Sequence, residues 1–308
     1  MPLVSCQVMA VSVFASSIPS SVITNLIFSD DIGVCKKLET TQMKVPVLLG
    51  GIAGDVIGSK YESFNTRRTD FRLFGRWSRF TDDTVLTVAI ADALMSGVPY
   101  EVRLREYALR YPDAGYGDMF MAWVHQKGTA GDVVSYAAGA AMRVPPLAYW
   151  FNSMEEVSAA ADASALATHP SGEGFVSAGQ MARIIYRVRS LGSGKRSQST
   201  KLQVLDSDVV IDPSVSISQL NRPHDMDFHA STVLSHAASA FYHGTAYEDV
   251  LRLAISIGGD SDTIACMAGA MAYPFYRDMP EDIYSGVMER LPSDFTTIIE
   301  RFETRPLL

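Results

Sequence analysis

From Val45 onward, apolar residues recur at helical spacings through Leu48, Ile52, Val56 and Ile57, with Gly50, Gly51, Gly54 and Gly58 set among them. That period lays one helix face against a neighbour, and the small residues let the neighbour approach closely. The same period returns at about 83–96, 101–110, 131–143, 153–167, 173–189, 228–243, 246–257, 261–276 and 281–303. No run of Val, Ile, Thr and aromatic residues alternates between hairpin turns, so strands are a minor decoration at most. The pattern predicts an all-α domain over residues 44–308. Residues 1–43, rich in Ser, Val and Ile with a short acidic patch at Asp30 and Asp31, show no sustained period and read as an N-terminal extension. Leu191 to Ser199, with Gly192, Gly194, Lys195, Arg196 and several serines, reads as a flexible surface loop inside the domain.

A chain of 308 residues that is 47% hydrophobic can bury a substantial core. The net charge of −8 and the pI near 5.3 argue against gripping a phosphate backbone, so nucleic acid is not an expected partner. Cys6, Cys35 and Cys266 lie far apart and suggest neither a disulfide framework nor a zinc site, which fits a reducing cytoplasm. The apolar run Val8 to Ala15 resembles a secretory signal only faintly. No Lys or Arg precedes Lys36, and no apolar stretch approaches the roughly 20 residues of a membrane helix. The expectation is a soluble, cytoplasmic monomer.

Two acidic clusters carry the chemistry. Phe80-Thr81-Asp82-Asp83-Thr84 stands directly before the helical run Val85 to Met95. A single Asp or Thr there would be an ordinary helix cap. Two adjacent carboxylates repel each other, and only one is needed to cap. Gly258-Gly259-Asp260-Ser261-Asp262-Thr263 repeats the arrangement before Ile264 to Tyr273. Its glycines allow a sharp turn that aims several hard oxygen donors at one point. Oxygen donors without sulfur or imidazole select magnesium or manganese over zinc or copper. Glu62, about one turn beyond Gly58, is a third acid in the same context.

Gly-Asp-Val-Ile-Gly-Ser-Lys-Tyr-Glu at 54–62, Phe-Thr-Asp-Asp-Thr at 80–84 and Gly-Gly-Asp-Ser-Asp-Thr at 258–263 resemble, in order, the three signature segments of the ADP-ribosylglycohydrolase family. The resemblance runs from about Val45 to the C-terminus. It implies an all-α fold with two magnesium ions, or manganese in some relatives, in a central cleft. It implies that Thr81, Asp82, Asp83, Asp260, Asp262 and Thr263 are metal ligands. Glu62 takes a gating or catalytic place beside them, and Gly115, Tyr116, Gly117, Ser135, Tyr136 and His169 line an ADP-ribose pocket. In many relatives an Asn precedes the Ala-Met-Arg segment where this chain has Ala138, which removes an amide that could hold substrate.

The implied reaction is hydrolysis of the bond between the anomeric carbon of ADP-ribose and a protein side chain, arginine above serine. One cation would orient ribose hydroxyls and the other activate water. An acid among Glu62, Asp82 and Asp83 would move the proton. The Gly115 to Gly117 turn is a candidate for holding the diphosphate. The alternative is a binding or immunity protein that blocks an ADP-ribosylating toxin through residues 1–43, as some bacterial relatives with extra N-terminal segments do. Taken without the resemblance, His169 is a structural or surface residue, and His224, His229, His236 and His243, which do not share a metal-binding helix face, are core or surface residues. Trp77, Trp123 and Trp150 are read as packing residues.

Overall fold

A computed structural model describes residues 45–126, 135–192, 196–205, 207–220 and 227–304. The proposed extension, residues 1–43, lies outside them. The described residues form helices α1 (Leu49–Glu62), α2 (Asp82–Ser96), α3 (Tyr100–Arg110), α4 (Asp118–His125), α5 (Gly139–Met142), α6 (Pro145–Trp150), α7 (Met154–Leu166) and α8 (Gly172–Arg189). They continue through α9 (Gln198–Leu205), α10 (Ile217–Leu220), α11 (Ala230–His243), α12 (Tyr247–Ile257), α13 (Ser261–Tyr276), α14 (Glu281–Met288) and α15 (Ser293–Glu303). Strand pairing among the described residues is limited to one bridge, Ala137 with His229. The all-α expectation is met.

The centre of the molecule is the pair α1 and α13, each buried along nearly its whole length. Around α13 pack α12, α11 and α8, while α2 packs with α3 and α15. Close approach of the central pair depends on glycine. A β-carbon at Gly54 would fall 2.0 Å from the Ala265 carbonyl oxygen, and one at Gly58 would fall 2.6 Å from Asp262 Cα. The interleaved glycines of α1 therefore set the distance between Asp55 and Asp262, and with it the site.

Several boundaries differ from the sequence pattern. The run 281–303 is two helices, because Pro292 has no N–H to continue the first and instead precedes the second. The run expected at 131–143 is helical only from Gly139 to Met142 among its described residues, which begin at 135. Ala137 pairs with His229, and Ala230 N–H donates to the Tyr136 carbonyl at 2.9 Å. The bridge also delays the start of α11 past His229. Helices α4, α6, α9 and α10 are not apparent from periodicity. In the expected flexible loop, α9 already begins at Gln198, and Arg196 donates to the Pro274 carbonyl at 2.8 Å, so this end is pinned. Lys201 on α9 is buried and donates from Nζ to the carbonyls of Phe241 (2.8 Å) and Tyr242 (3.2 Å), tying α9 to the end of α11.

Of the tryptophans, Trp123 is buried beneath the Arg105 guanidinium and Trp150 packs on Phe302. Trp77 corrects the packing expectation, being 72% exposed. No helix among the described residues is long and apolar enough to cross a membrane.

Candidate metal centre

The segment before α2 is organised by a residue of α1. Thr81 occupies the N-cap position of α2, yet its hydroxyl does not cap the helix. It donates instead to Asp55 Oδ1 at 2.7 Å, and the Thr81 N–H donates to Asp55 Oδ2 at 2.9 Å. Asp55 Oδ2 also accepts the Thr84 N–H at 3.1 Å and the Thr84 hydroxyl. Asp55, fully buried on α1, is thus the anion at the start of α2, where free N–H groups and the helix dipole favour negative charge. With capping done from outside, Asp82 and Asp83 are free for other work.

Two triads of carboxylates result. Oxygens of Asp55, Asp83 and Asp262 lie within 4.8 Å of one another, and so do those of Glu62, Asp260 and Asp262. Asp262 belongs to both. Thr263 Oγ1 donates to Asp83 Oδ2 at 3.2 Å, which ties the start of α13 to the start of α2. The backbone at Gly258 and Gly259 has φ of +85° and +71°, a left-handed conformation in which a side chain is strained. Asn65 fixes that turn by accepting the Gly259 N–H at 2.8 Å while donating to the Glu62 carbonyl at 3.0 Å.

The electrostatics are those of a cation site. Burial pushes the Asp82 carboxyl up to about 8, with Asp55 and Asp260 adding like charge, and burial pushes Asp260 up to about 6. Asp83 and Asp262 are raised well above the usual range by burial and by their acidic neighbours. Burial also raises Glu62, against the opposing charge of Arg79. Asp83 Oδ1 and Asp262 Oδ1 are buried with no hydrogen-bond partner. Buried oxygens of this kind are costly unless something positive completes them, and a set made only of oxygens fits a hard divalent cation.

The remaining predicted residues fall into two places. Gly115 and Tyr116 lie on the Asp82 side: the Asp82 N–H donates to the Ala114 carbonyl at 2.9 Å, and a β-carbon at Gly115 would sit 3.9 Å from Asp82 Oδ1. The Tyr116 hydroxyl is buried without a partner, its pKa raised by burial and by Asp82. Gly117 precedes α4 as its N-cap. Ser135 and His169 meet at Gly174, where a β-carbon would clash with the His169 ring at 2.4 Å and with the Ala137 and Ser135 carbonyls. His169 is buried, with Nδ1 2.8 Å from the Thr168 hydroxyl and Nε2 unpartnered. Burial, helped by Arg143, drives its pKa down to about 3, so the ring is neutral. Tyr136 is half exposed and stacked on His229 with centroids 4.7 Å apart. Ala138 is buried just before α5.

Sequence reading missed three contributors. Asp55 lies inside the 54–62 segment, and its signal is that of a lone acid among the small and apolar residues of a helix. Asn65 left no signal, since the partner that ties it to the site, the Gly259 N–H, is 194 residues away. His236, read as a core or surface residue, lines a cavity of about 200 Å³ with Asp227, Thr232, Ile257, Gly259 and Asp260.

The chain matches the model of the ADP-ribosylglycohydrolase family over residues 44–305. The chain belongs to the ADP-ribosylglycohydrolase family. It is similar to proteins named ADP-ribosylhydrolase ARH3, 26% identical to the one from Mus musculus over 85% of this chain and 88% of that protein. The one from Homo sapiens is 24% identical over 85% and 90% respectively. A solved structure titled ADP-ribosylglycohydrolase-related protein complex superposes with a TM-score of 0.60 at 19% identity, over 84% of this chain and 95% of that one. That likeness concerns the fold. Family membership makes the chain a glycohydrolase by kinship, and its acidic cluster is the candidate metal centre within it.

Proposed function

We propose that the protein hydrolyses the bond between the anomeric carbon of ADP-ribose and a protein side chain, the guanidinium of arginine before all others, using two magnesium ions for which manganese can substitute. The observation that carries the reading is the pair of carboxylate triads sharing Asp262, each with an unpartnered buried oxygen, with Asp260 of the second triad also lining the cavity. Thr81, Asp82, Asp83, Asp260, Asp262 and Thr263, joined by Asp55, would hold the cations. Bound there, divalent cations supply positive charge to orient ribose hydroxyls and to acidify a water.

The protein's own residues do the rest. Glu62 is half-buried with a raised pKa and is the acid on which we place the proton transfer, because Asp83 is engaged by Thr263 and Asp82 faces Gly115. It takes the proton of the attacking water or delivers one to the departing guanidine. Tyr136 offers a stacking face and the neutral His169 an unpartnered Nε2 for the rest of the nucleotide. The Asp227 carboxylate, on the same cavity as Asp260, is an anion suited to a guanidinium, which favours arginine over an uncharged serine.

The test is release of ADP-ribose, quantified by mass spectrometry, from an arginine-ADP-ribosylated protein. We expect release with magnesium, none with chelator, and a loss of at least about 100-fold in the Asp82→Ala/Asp83→Ala double variant. Inertness of the folded protein toward both arginine- and serine-linked substrates would overturn the assignment.

A further inference from the structure

Between Glu62 and Thr81, both at the candidate metal centre, the chain runs Ser-Phe-Asn-Thr-Arg-Arg-Thr-Asp-Phe-Arg-Leu-Phe-Gly-Arg-Trp-Ser-Arg-Phe. This stretch holds five arginines against one aspartate in a chain whose net charge is −8. It has no regular secondary structure, yet it is fixed from the inside. Lys60 Nζ and the Tyr61 hydroxyl both donate to the Arg72 carbonyl at 3.0 Å. Arg252 Nη1 donates to the carbonyls of Thr69 (2.8 Å) and Phe71 (2.7 Å), and the Arg79 N–H donates to Ser59 Oγ at 3.1 Å. Leu73 is buried, and the Phe71 ring lies 4.7 Å from that of Tyr61.

What this framework leaves outside is charge and aromatic surface. Arg67, Arg68, Arg72, Arg76 and Arg79 are all exposed, as are Phe64 (80%) and Trp77 (72%). Arg68 is paired with Asp70, and Arg76 lies over the Trp77 ring. Arg67, Arg72 and Arg76 make no ion pair with any described residue. Structural reasons for so much exposed arginine and tryptophan are missing, since the loop is held by its backbone. Arginine and tryptophan are the residues that dominate protein–protein recognition. A long phosphate polymer would meet this patch and then the acidic remainder of the molecule, whereas a local acidic patch on a folded protein would meet only the patch.

We propose that the exposed side chains of this stretch, Phe64, Arg67, Arg72, Arg76 and Trp77, are the docking surface for an acidic patch on the ADP-ribosylated protein. The inference rests on the hydrolase reading for the identity of that protein. Substrates are then selected by the charge surrounding the modified side chain as well as by the linkage itself. Charge at an interface rim acts mainly on association, so the effect belongs in KM and in salt dependence rather than in the chemical step.

The experiment compares the wild-type chain with Arg67→Gln/Arg72→Gln/Arg76→Gln and, separately, with Trp77→Ala. Two substrates are used: free ADP-ribosyl-arginine and an arginine-ADP-ribosylated acidic protein. Binding of a fluorescein-labelled glutamate-rich peptide is measured in parallel. Expected are unchanged kcat and KM on the free compound, a fall of about tenfold in kcat/KM on the protein with kcat retained, a flatter salt dependence, and weakened peptide binding. Equal effects on both substrates, or an oligonucleotide held more tightly than the peptide, would overturn the docking proposal. Peptide bound through these residues with no hydrolysis of either substrate would keep the docking surface and sink the hydrolase reading.

Discussion

Removing divalent cations should make the protein progressively less stable as pH rises from about 4 to about 8. The carboxyls of the metal centre have folded pKa values above their unfolded ones, so the folded chain holds these protons more tightly. Their favourable contribution is complete below the unfolded value of 3.8 and is lost as pH rises through about 6 at Asp260 and about 8 at Asp82. For Asp260, which is 8% exposed, the rise from 3.8 to about 6 corresponds to about 3 kcal/mol at 1.36 kcal/mol per pH unit. In a domain of this size, 1 kcal/mol moves Tm by roughly 2–4 °C, so Asp260 alone should lower Tm by about 6–12 °C between pH 4 and pH 8. A bound cation replaces those protons. At a concentration 100 times its Kd, each ion should return about 2.7 kcal/mol. Scanning calorimetry at several pH values, with chelator or with magnesium, reads both effects, and their difference cancels groups that titrate elsewhere. A Tm gap between magnesium and chelator that stays flat or shrinks from pH 5 to pH 8 would refute the cation-site assignment.

Asp55→Asn should leave a folded helical protein by circular dichroism but lower the magnesium-dependent gain in Tm by at least half, because an amide puts a donor where Thr81 and Thr84 already donate. Gly58→Ala should cost about 1–3 kcal/mol in urea unfolding by forcing α1 from α13, with a larger proportional loss in hydrolysis than a distant substitution of equal cost. Unchanged stability in this variant would contradict the 2.6 Å approach to Asp262. Asn65→Ala should cost about 1–2 kcal/mol, since the Gly259 N–H loses its acceptor. It should also weaken magnesium affinity, measured by titration calorimetry, although Asn65 touches no cation. Glu62→Gln should abolish release of ADP-ribose while keeping the larger part of the magnesium-dependent rise in Tm, because Asp260 and Asp262 remain in its triad and the Asp55, Asp83 and Asp262 triad is untouched.

Helix content, the importance of the glycine-rich first helix and both acidic clusters were legible in the chain, because each is a local property. Hydrophobic period, glycine spacing and paired acids before an apolar run need no tertiary information. Local pattern failed where a distant partner decided the outcome. Ala137 pairs with His229 and so interrupts a helical pattern from outside it. The cap of α2 comes from Asp55 and not from Thr81, a substitution that no reading of residues 80–84 could reveal. Trp77 looked like packing because tryptophan usually is, and its exposure follows from a loop held by Arg252 and Lys60 through backbone carbonyls. The sequence by itself determined that acids stand together before α2 and α13, but not that Asp55 of α1 joins them. The crossing of α1 and α13 decided that Asp262 would be shared by two triads, since there glycines let two buried backbones bring carboxylates from distant segments within reach of one another.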